Sequence, residues 1–186
     1  VLAPTMLALQ SIALQADHRQ FKLAAQNFYW RDHGAYTGEA SANQLRGLVK
    51  YGLVGHSERR HIFNEHGRDL RHKVQAAFRN HFIPVLCIGE TAQERAAGET
   101  KEVLHDQILE GLSNVTGEEA QEMVIAYEPV WAIGTGDNAL PKDVKDAAKM
   151  IRSQIAHLFG EKTAESIRVL YGGSVSGDNA ASYLST

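Results

Sequence analysis

The chain has 186 residues, 44% of them hydrophobic, which is enough to bury one sizeable core and short for two. Its 19 Lys and Arg are scattered among 22 Asp and Glu, and a formal charge of -3 leaves no basic field for nucleic acid or an anionic membrane. The single cysteine, Cys87 in PVLCIGE, excludes a disulfide framework and a zinc-ligand spacing, and no apolar run approaches the roughly 18 residues of a membrane span. With no signal peptide either, the expected setting is a reducing cytoplasm. Cys87 itself reads as a small buried hydrophobe. A chain that starts at Val1 rather than at methionine reads as processed, tagged or cut.

Short β-rich apolar runs alternate with segments of helical period, and no linker interrupts them, so residues 1–186 read as one domain. The strand candidates, in order, are Val1–Ala3, Leu23–Gln26, Tyr51–Val54, Pro84–Ile88, Val124–Tyr127 and Arg168–Tyr171. Most lack polar alternation, as strands covered on both faces do. Between them Leu70, Val74, Ala77 and Phe78 recur at helical spacing, then Leu104, Ile108 and Leu112, then Val144, Ala147, Ala148, Ile151, Ile155 and Leu158. Each set is one apolar stripe on a charged helix, and therefore core. This order predicts an α/β fold of parallel strands joined by helices.

Such folds place their chemistry where a parallel strand hands over to the next helix. Three of these junctions are unusual. VGHSERR turns through Gly55, His56 and Ser57; AYEPVWAIGTG ends a strand on Glu128; LYGGSVSGDN ends one on Gly172, Gly173 and Ser174. Paired glycines let backbone N–H groups approach an oxyanion, and a following helix N-terminus favours negative charge, so the last junction suits a phosphate. Taken singly, each junction also has an ordinary reading, as a turn, a solvated acid or a satisfied histidine.

Taken together and in this order, GHSERR, VLCIGET, AYEPVWAIGTG and YGGSV, preceded by APT, AQN and GAYTGE, resemble the triosephosphate isomerase family over essentially the whole chain. The resemblance implies a (βα) barrel of the TIM type. It implies that Glu128 is the base moving a proton between the two carbons of dihydroxyacetone phosphate and glyceraldehyde 3-phosphate, and that His56 is the neutral electrophile polarising the carbonyl. The family is itself a standard worked example of that pairing. Gly134, Gly172, Gly173 and Ser174 would contact the substrate phosphate, or inorganic phosphate weakly. Pro129, Val130 and Trp131 would form the first hinge of a closing lid, with Thr135 and Gly136 near its second; a lid keeps water from the enediolate. No metal or organic cofactor is implied.

The family also carries an Asn-x-Lys strand ahead of the first motif and a glycine-rich phosphate turn after its eighth strand, and neither is present in this sequence. Lys22, Lys50, Lys73 and Lys142 lie in helical or flanking segments and offer no replacement, and Glu58 would lose its charge partner. What is left corresponds to about six βα units, expected as an open barrel with two exposed edges. In NFYWRDHGAYTGE, Phe28, Tyr29, Trp30 and Tyr36 are too apolar for an ordinary loop and, with Thr37, would meet a partner subunit, giving a homodimer or higher homo-oligomer. Three readings stand open: an isomerase working despite the missing pieces, a catalytically silent phosphate binder or self-assembling scaffold, and a piece of a longer chain.

Overall fold

The computed structural model describes residues 1–133 and 138–185. In chain order its elements are α1 (Met6–Gln15), β1 (Ala24–Ala25), α2 (Ala42–Leu45), β2 (Tyr51–Val54), α3 (Ser57–His61), α4 (Gly67–Arg79) and β3 (Ile83–Ile88). There follow α5 (Ala92–Ala96), α6 (Thr100–Leu112), α7 (Gly117–Glu122), β4 (Val124–Tyr127), a 3-10 turn (Val130–Ala132), α8 (Pro141–Phe159), α9 (Glu161–Ser166), β5 (Arg168–Tyr171) and α10 (Ala180–Leu184). The five strands form one parallel sheet in the order β1-β2-β3-β4-β5, with Leu53 beside Val85, Cys87 beside Ala126, and Ala126 beside Leu170.

Period-2 geometry splits the apolar strand residues between two faces. Val54, Leu86, Ile88, Ile125 and Tyr127 meet the helices, where Leu70, Val74 and Ala77 of α4, Leu104, Ile108 and Leu112 of α6, and Ala147, Ile151 and Ile155 of α8 complete the main core. Val85, Cys87, Val124 and Ala126 form a smaller cluster on the opposite face. The helical stripes read from the sequence are therefore the packing faces. Close packing of α6 depends on Gly111, where a Cβ would come within 2.5 Å of a Leu86 methyl. Helix α8 begins with Pro141 at its first turn, whose missing N–H would go unused there, and stops at Gly160, whose φ of 88° suits a residue without a Cβ.

Six strands were expected, and the described residues form five, with the first run reduced to an isolated bridge. The Val1–Ala3 run contributes a single parallel bridge, Leu2 to Leu23, closed by Leu2 N–H to Lys22 O and Ala24 N–H to Leu2 O, each 2.8 Å. Pro4 follows at once and has no N–H with which to extend the ladder. The second run shortens to Ala24–Ala25, while the Gln26 amide donates sideways to Ala3 O at 2.9 Å. Among the described residues no strand lies beyond β5 and the sheet does not close on itself.

Of the four lysines singled out, Lys73 is not at the surface. It is 2% exposed on α4, where its ammonium meets the Glu65 carboxylate and, at 2.6 Å, Asn27 Oδ1. Burial and the neighbouring Arg59 guanidinium push it down to about 7. Lys22 caps the His18 carbonyl, Lys142 pairs with Asp146 at 2.7 Å, and Lys50 precedes β2.

Candidate active site

Strand β2 delivers the chain into Gly55, whose φ of 71° turns it sharply toward α3. Arg60 locks that turn by donating from Nε to Gly55 O at 2.7 Å and from Nη2 to Cys87 O at 2.9 Å, so the ends of β2 and β3 are held together. His56 is then the N-cap of α3, with its Nδ1 accepting the Glu58 N–H at 3.3 Å. A backbone N–H aimed at Nδ1 requires a lone pair there and leaves the ring proton on Nε2. That nitrogen lies 3.5 Å from Glu128 Oε1.

Glu128 follows β4 directly, anchored by its N–H to Ile88 O at 2.7 Å, and the residue is only 7% exposed. Its Oε2 accepts the Ser57 N–H at 3.0 Å, so the start of α3 presents a backbone donor to one oxygen and an imidazole to the other. The two strand-end residues flagged in the sequence, 72 positions apart, therefore face each other. Glu58 is exposed, with its carboxylate 3.8 Å from His56 Nδ1. Among the described residues no lysine or arginine forms an ion pair with either Glu128 or His56.

Space around Glu128 is set by two glycines. A Cβ on Gly172 would come within 3.0 Å of Glu128 Cγ, and one on Gly89 would sit 1.7 Å from the Glu128 carbonyl oxygen. Gly89 was not singled out in the sequence, although it follows the apolar run VLCI. Backbone cannot yield as a flexible side chain does, so Gly89→Ala is expected to cost about 3 kcal/mol, at the upper end of overpacking effects. Urea unfolding should register the loss, with the Glu128 amide the most shifted in a two-dimensional NMR spectrum of the variant.

The structure also adds a polar network behind Glu128. Glu90 is fully buried and accepts from Tyr127 Oη at 3.1 Å and Trp131 Nε1 at 3.0 Å, with Arg95 Nη1 at 3.4 Å. Arg95 also stacks on the Trp131 ring at 4.2 Å and donates to Asp143 Oδ1 at 2.9 Å. A buried carboxylate needs this many partners. The network fixes Trp131 in the 3-10 turn Val130–Ala132, which Pro129 precedes as N-cap immediately after Glu128. Burial and the Glu128 carboxylate push the Cys87 thiol well above its usual range, which fits an inert packing residue.

Gly173 and Ser174 lie in an exposed turn after β5. The helix expected to follow them begins only at Ala180, because Asn179 folds back, accepting Ser176 N–H at 2.7 Å and donating to Ser174 O at 3.0 Å. The turn thus has backbone donors but no adjoining helix N-terminus. Gly134, Thr135 and Gly136 lie outside the described residues.

The aromatic loop divides. Phe28, expected at an interface, is 1% exposed and stacks edge-on against Phe82 at 5.0 Å over Gly52, so it belongs to the core. It follows β1 too closely to leave the sheet. Tyr29, Trp30 and Tyr36 pack on one another, with centroids 4.2 Å and 4.5 Å from Tyr29, and Arg79 holds Asp32 and the Trp30 carbonyl. Tyr36 and Thr37 remain exposed.

Residues 1–186 match the family model described as triosephosphate isomerase. The chain belongs to the triosephosphate isomerase family. Among its curated relatives, the triosephosphate isomerase of Moorella thermoacetica is 43% identical over 182 residues, spanning 97% of this chain and 73% of that protein. That of Chloroherpeton thalassium is 44% identical over 180 residues, 96% of this chain and 71% of the other. The corresponding protein of Dictyoglomus turgidum is 40% identical over 185 residues. Membership of the family supports triose phosphate isomerisation. Among the described residues no helix is long and apolar enough to cross a membrane.

Proposed function

We propose that Glu128 abstracts a proton from the carbon next to the carbonyl of a phosphorylated triose while His56 Nε2–H polarises that carbonyl. The observation that supports this is the Glu128 carboxylate seated between the Ser57 N–H and the His56 ring. The base is shielded from bulk water, and the electrophile's other nitrogen is already occupied, so the proton is directed to one side of the ring. The phosphate would rest on the N–H groups of Gly173 and Ser174 together with Gly134, since the Gly172 N–H already donates to Tyr127 O at 2.7 Å, with Pro129, Val130, Trp131, Thr135 and Gly136 as hinges of a closing segment. A reducing cytoplasm suits the buried thiol of Cys87.

Solvent exchange tests the proton step apart from net turnover. Dihydroxyacetone phosphate incubated in deuterium oxide with residues 1–186 should acquire deuterium next to its carbonyl over hours, by proton NMR, and Glu128→Gln should acquire none. Equal exchange with both proteins would remove Glu128 as the base. For the phosphate turn, titration with inorganic phosphate to about 10 mM should move the amide signals of Gly173 and Ser174, weakly because no helix N-terminus adjoins them. Unmoved signals would take the phosphate elsewhere.

The pre-packed Tyr29, Trp30 and Tyr36 cluster, with Thr37 at its exposed end, supports a two-fold homodimer through this loop. Light scattering at micromolar concentration should report a dimer, and Thr37→Arg should shift it to monomer without altering the circular dichroism spectrum. A monomeric parent chain would discard the interface.

A further inference from the structure

Helix α6 packs on β3 through Leu104, Ile108 and Gly111, and one polar residue, Gln107, shares that face at helical spacing. Its amide grips the backbone of Gly89: the Gly89 N–H donates to Gln107 Oε1 at 2.8 Å, and Gln107 Nε2 donates to Gly89 O at 3.1 Å. An amide in this orientation serves both, because the N–H needs an acceptor and the carbonyl a donor. The last register pairs of β3 are Leu86 with Val54 and Ile88 with Tyr127, so Gly89 lies beyond the ladder on both sides. Buried backbone groups there need partners from outside the sheet, and Gln107 supplies them.

Gly89 lies so close to the Glu128 carbonyl that a Cβ on it would sit 1.7 Å from that oxygen, and the preceding Ile88 accepts the Glu128 N–H at 2.7 Å. The residue after it, Glu90, holds Tyr127 and Trp131, which stand on either side of Glu128 in the chain. Fixing the Gly89 peptide therefore fixes the backbone from which the Glu128 carboxylate projects. We infer that Gln107 is a positioning residue, which sets the place of that carboxylate through the Gly89 peptide. Its effect on catalysis rests on the reading of Glu128 as the base; its effect on the carboxylate does not.

The Ser57 N–H donates to Glu128 Oε2 at 3.0 Å from a different element, so its amide signal in a two-dimensional NMR spectrum reports where the carboxylate lies. Gln107→Met keeps the side-chain length and loses both hydrogen bonds, and should move the Ser57 proton upfield, the direction expected of Glu128→Gln. Gln107→Glu adds a reversible control within one sample. A protonated carboxyl can accept from the Gly89 N–H and donate to Gly89 O as the amide does, whereas an ionised one sets a negative oxygen against that carbonyl. Partial burial and the facing carbonyl raise its pKa above the ordinary value of about 4.3, so the Ser57 signal should lie nearer the parent's at about pH 5 than at about pH 8. An unmoved Ser57 signal in Gln107→Met, or the same offset in Gln107→Glu at both pH values, would overturn the proposal. Deuterium uptake by dihydroxyacetone phosphate should slow at least about tenfold in Gln107→Met, since displacing a reacting group by about 1 Å can cost on the order of 10²-fold. Uptake equal to the parent's would also overturn it. A parent chain that takes up no deuterium would instead remove Glu128 as the base, and the Ser57 signal alone would then decide the role of Gln107.

Discussion

Residues 1–186 are expected to interconvert dihydroxyacetone phosphate and glyceraldehyde 3-phosphate, in coupled assays run in both directions, no faster than their Glu128→Ala variant. The proposed base and electrophile face each other, yet each would act on a substrate that develops an oxyanion and already carries a phosphate. Around Glu128 and His56 the described residues supply the neutral N–H groups of Ser57 and Glu58, already committed to the carboxylate and to His56 Nδ1. The Arg60 guanidinium is spent on the carbonyls of Gly55 and Cys87. Removing one preorganised stabiliser typically costs on the order of 10²–10³ in rate, about 3–4 kcal/mol. Turnover of ordinary enzymatic size would mean that a cation reaches the site from another segment or another chain. Deuterium exchange without turnover, in contrast, would show a working base lacking electrostatic support.

Breaking the buried pair behind the aromatic loop is expected to have a comparable effect on stability. Glu65 and Lys73, 7% and 2% exposed, contact each other, with Arg59 Nε 3.4 Å from the second Glu65 oxygen and Asn27 on the ammonium. Glu65→Gln leaves the Arg59 guanidinium and the buried Lys73 amine, which burial already holds down at about 7, without a carboxylate, and breaking one partner of a buried pair costs about 3–5 kcal/mol. Urea unfolding of the single variant should show a loss of that size, whereas Glu65→Leu combined with Lys73→Met should lose less, because no stranded charge remains. A double variant as unstable as the sum of the singles would show that packing, not charge, holds the position. Because Asn27 joins β1 to the aromatic loop, the single variant should also loosen Tyr29 and Trp30, visible as a red shift in tryptophan emission.

The α/β class, the five strands to within one residue at each end, and the packing faces of α4, α6 and α8 were all legible in the sequence. Uninterrupted apolar runs and helical stripes arise directly from burial on two faces and on one, so local pattern carries them. Glu128 and His56 were legible as members of unusual junctions, and as a pair only through the resemblance of those junctions to a family. Their facing geometry was not, since it depends on parallel register between strands far apart in the chain. For the same reason Gly89 and the Glu90, Tyr127, Trp131 and Arg95 network carry little local signal: a carboxylate reads as solvated until tertiary packing surrounds it. Phe28 looked like its aromatic neighbours and only the approach of Phe82 over Gly52 assigned it to the core. The helix expected after Ser174 failed on a local competitor, Asn179, whose side chain takes the backbone groups that a helix start would have used. Apolar pattern thus determined what must be buried, while the tertiary structure decided which polar groups meet, because hydrogen bonds and ion pairs depend on distances between segments that the sequence leaves far apart.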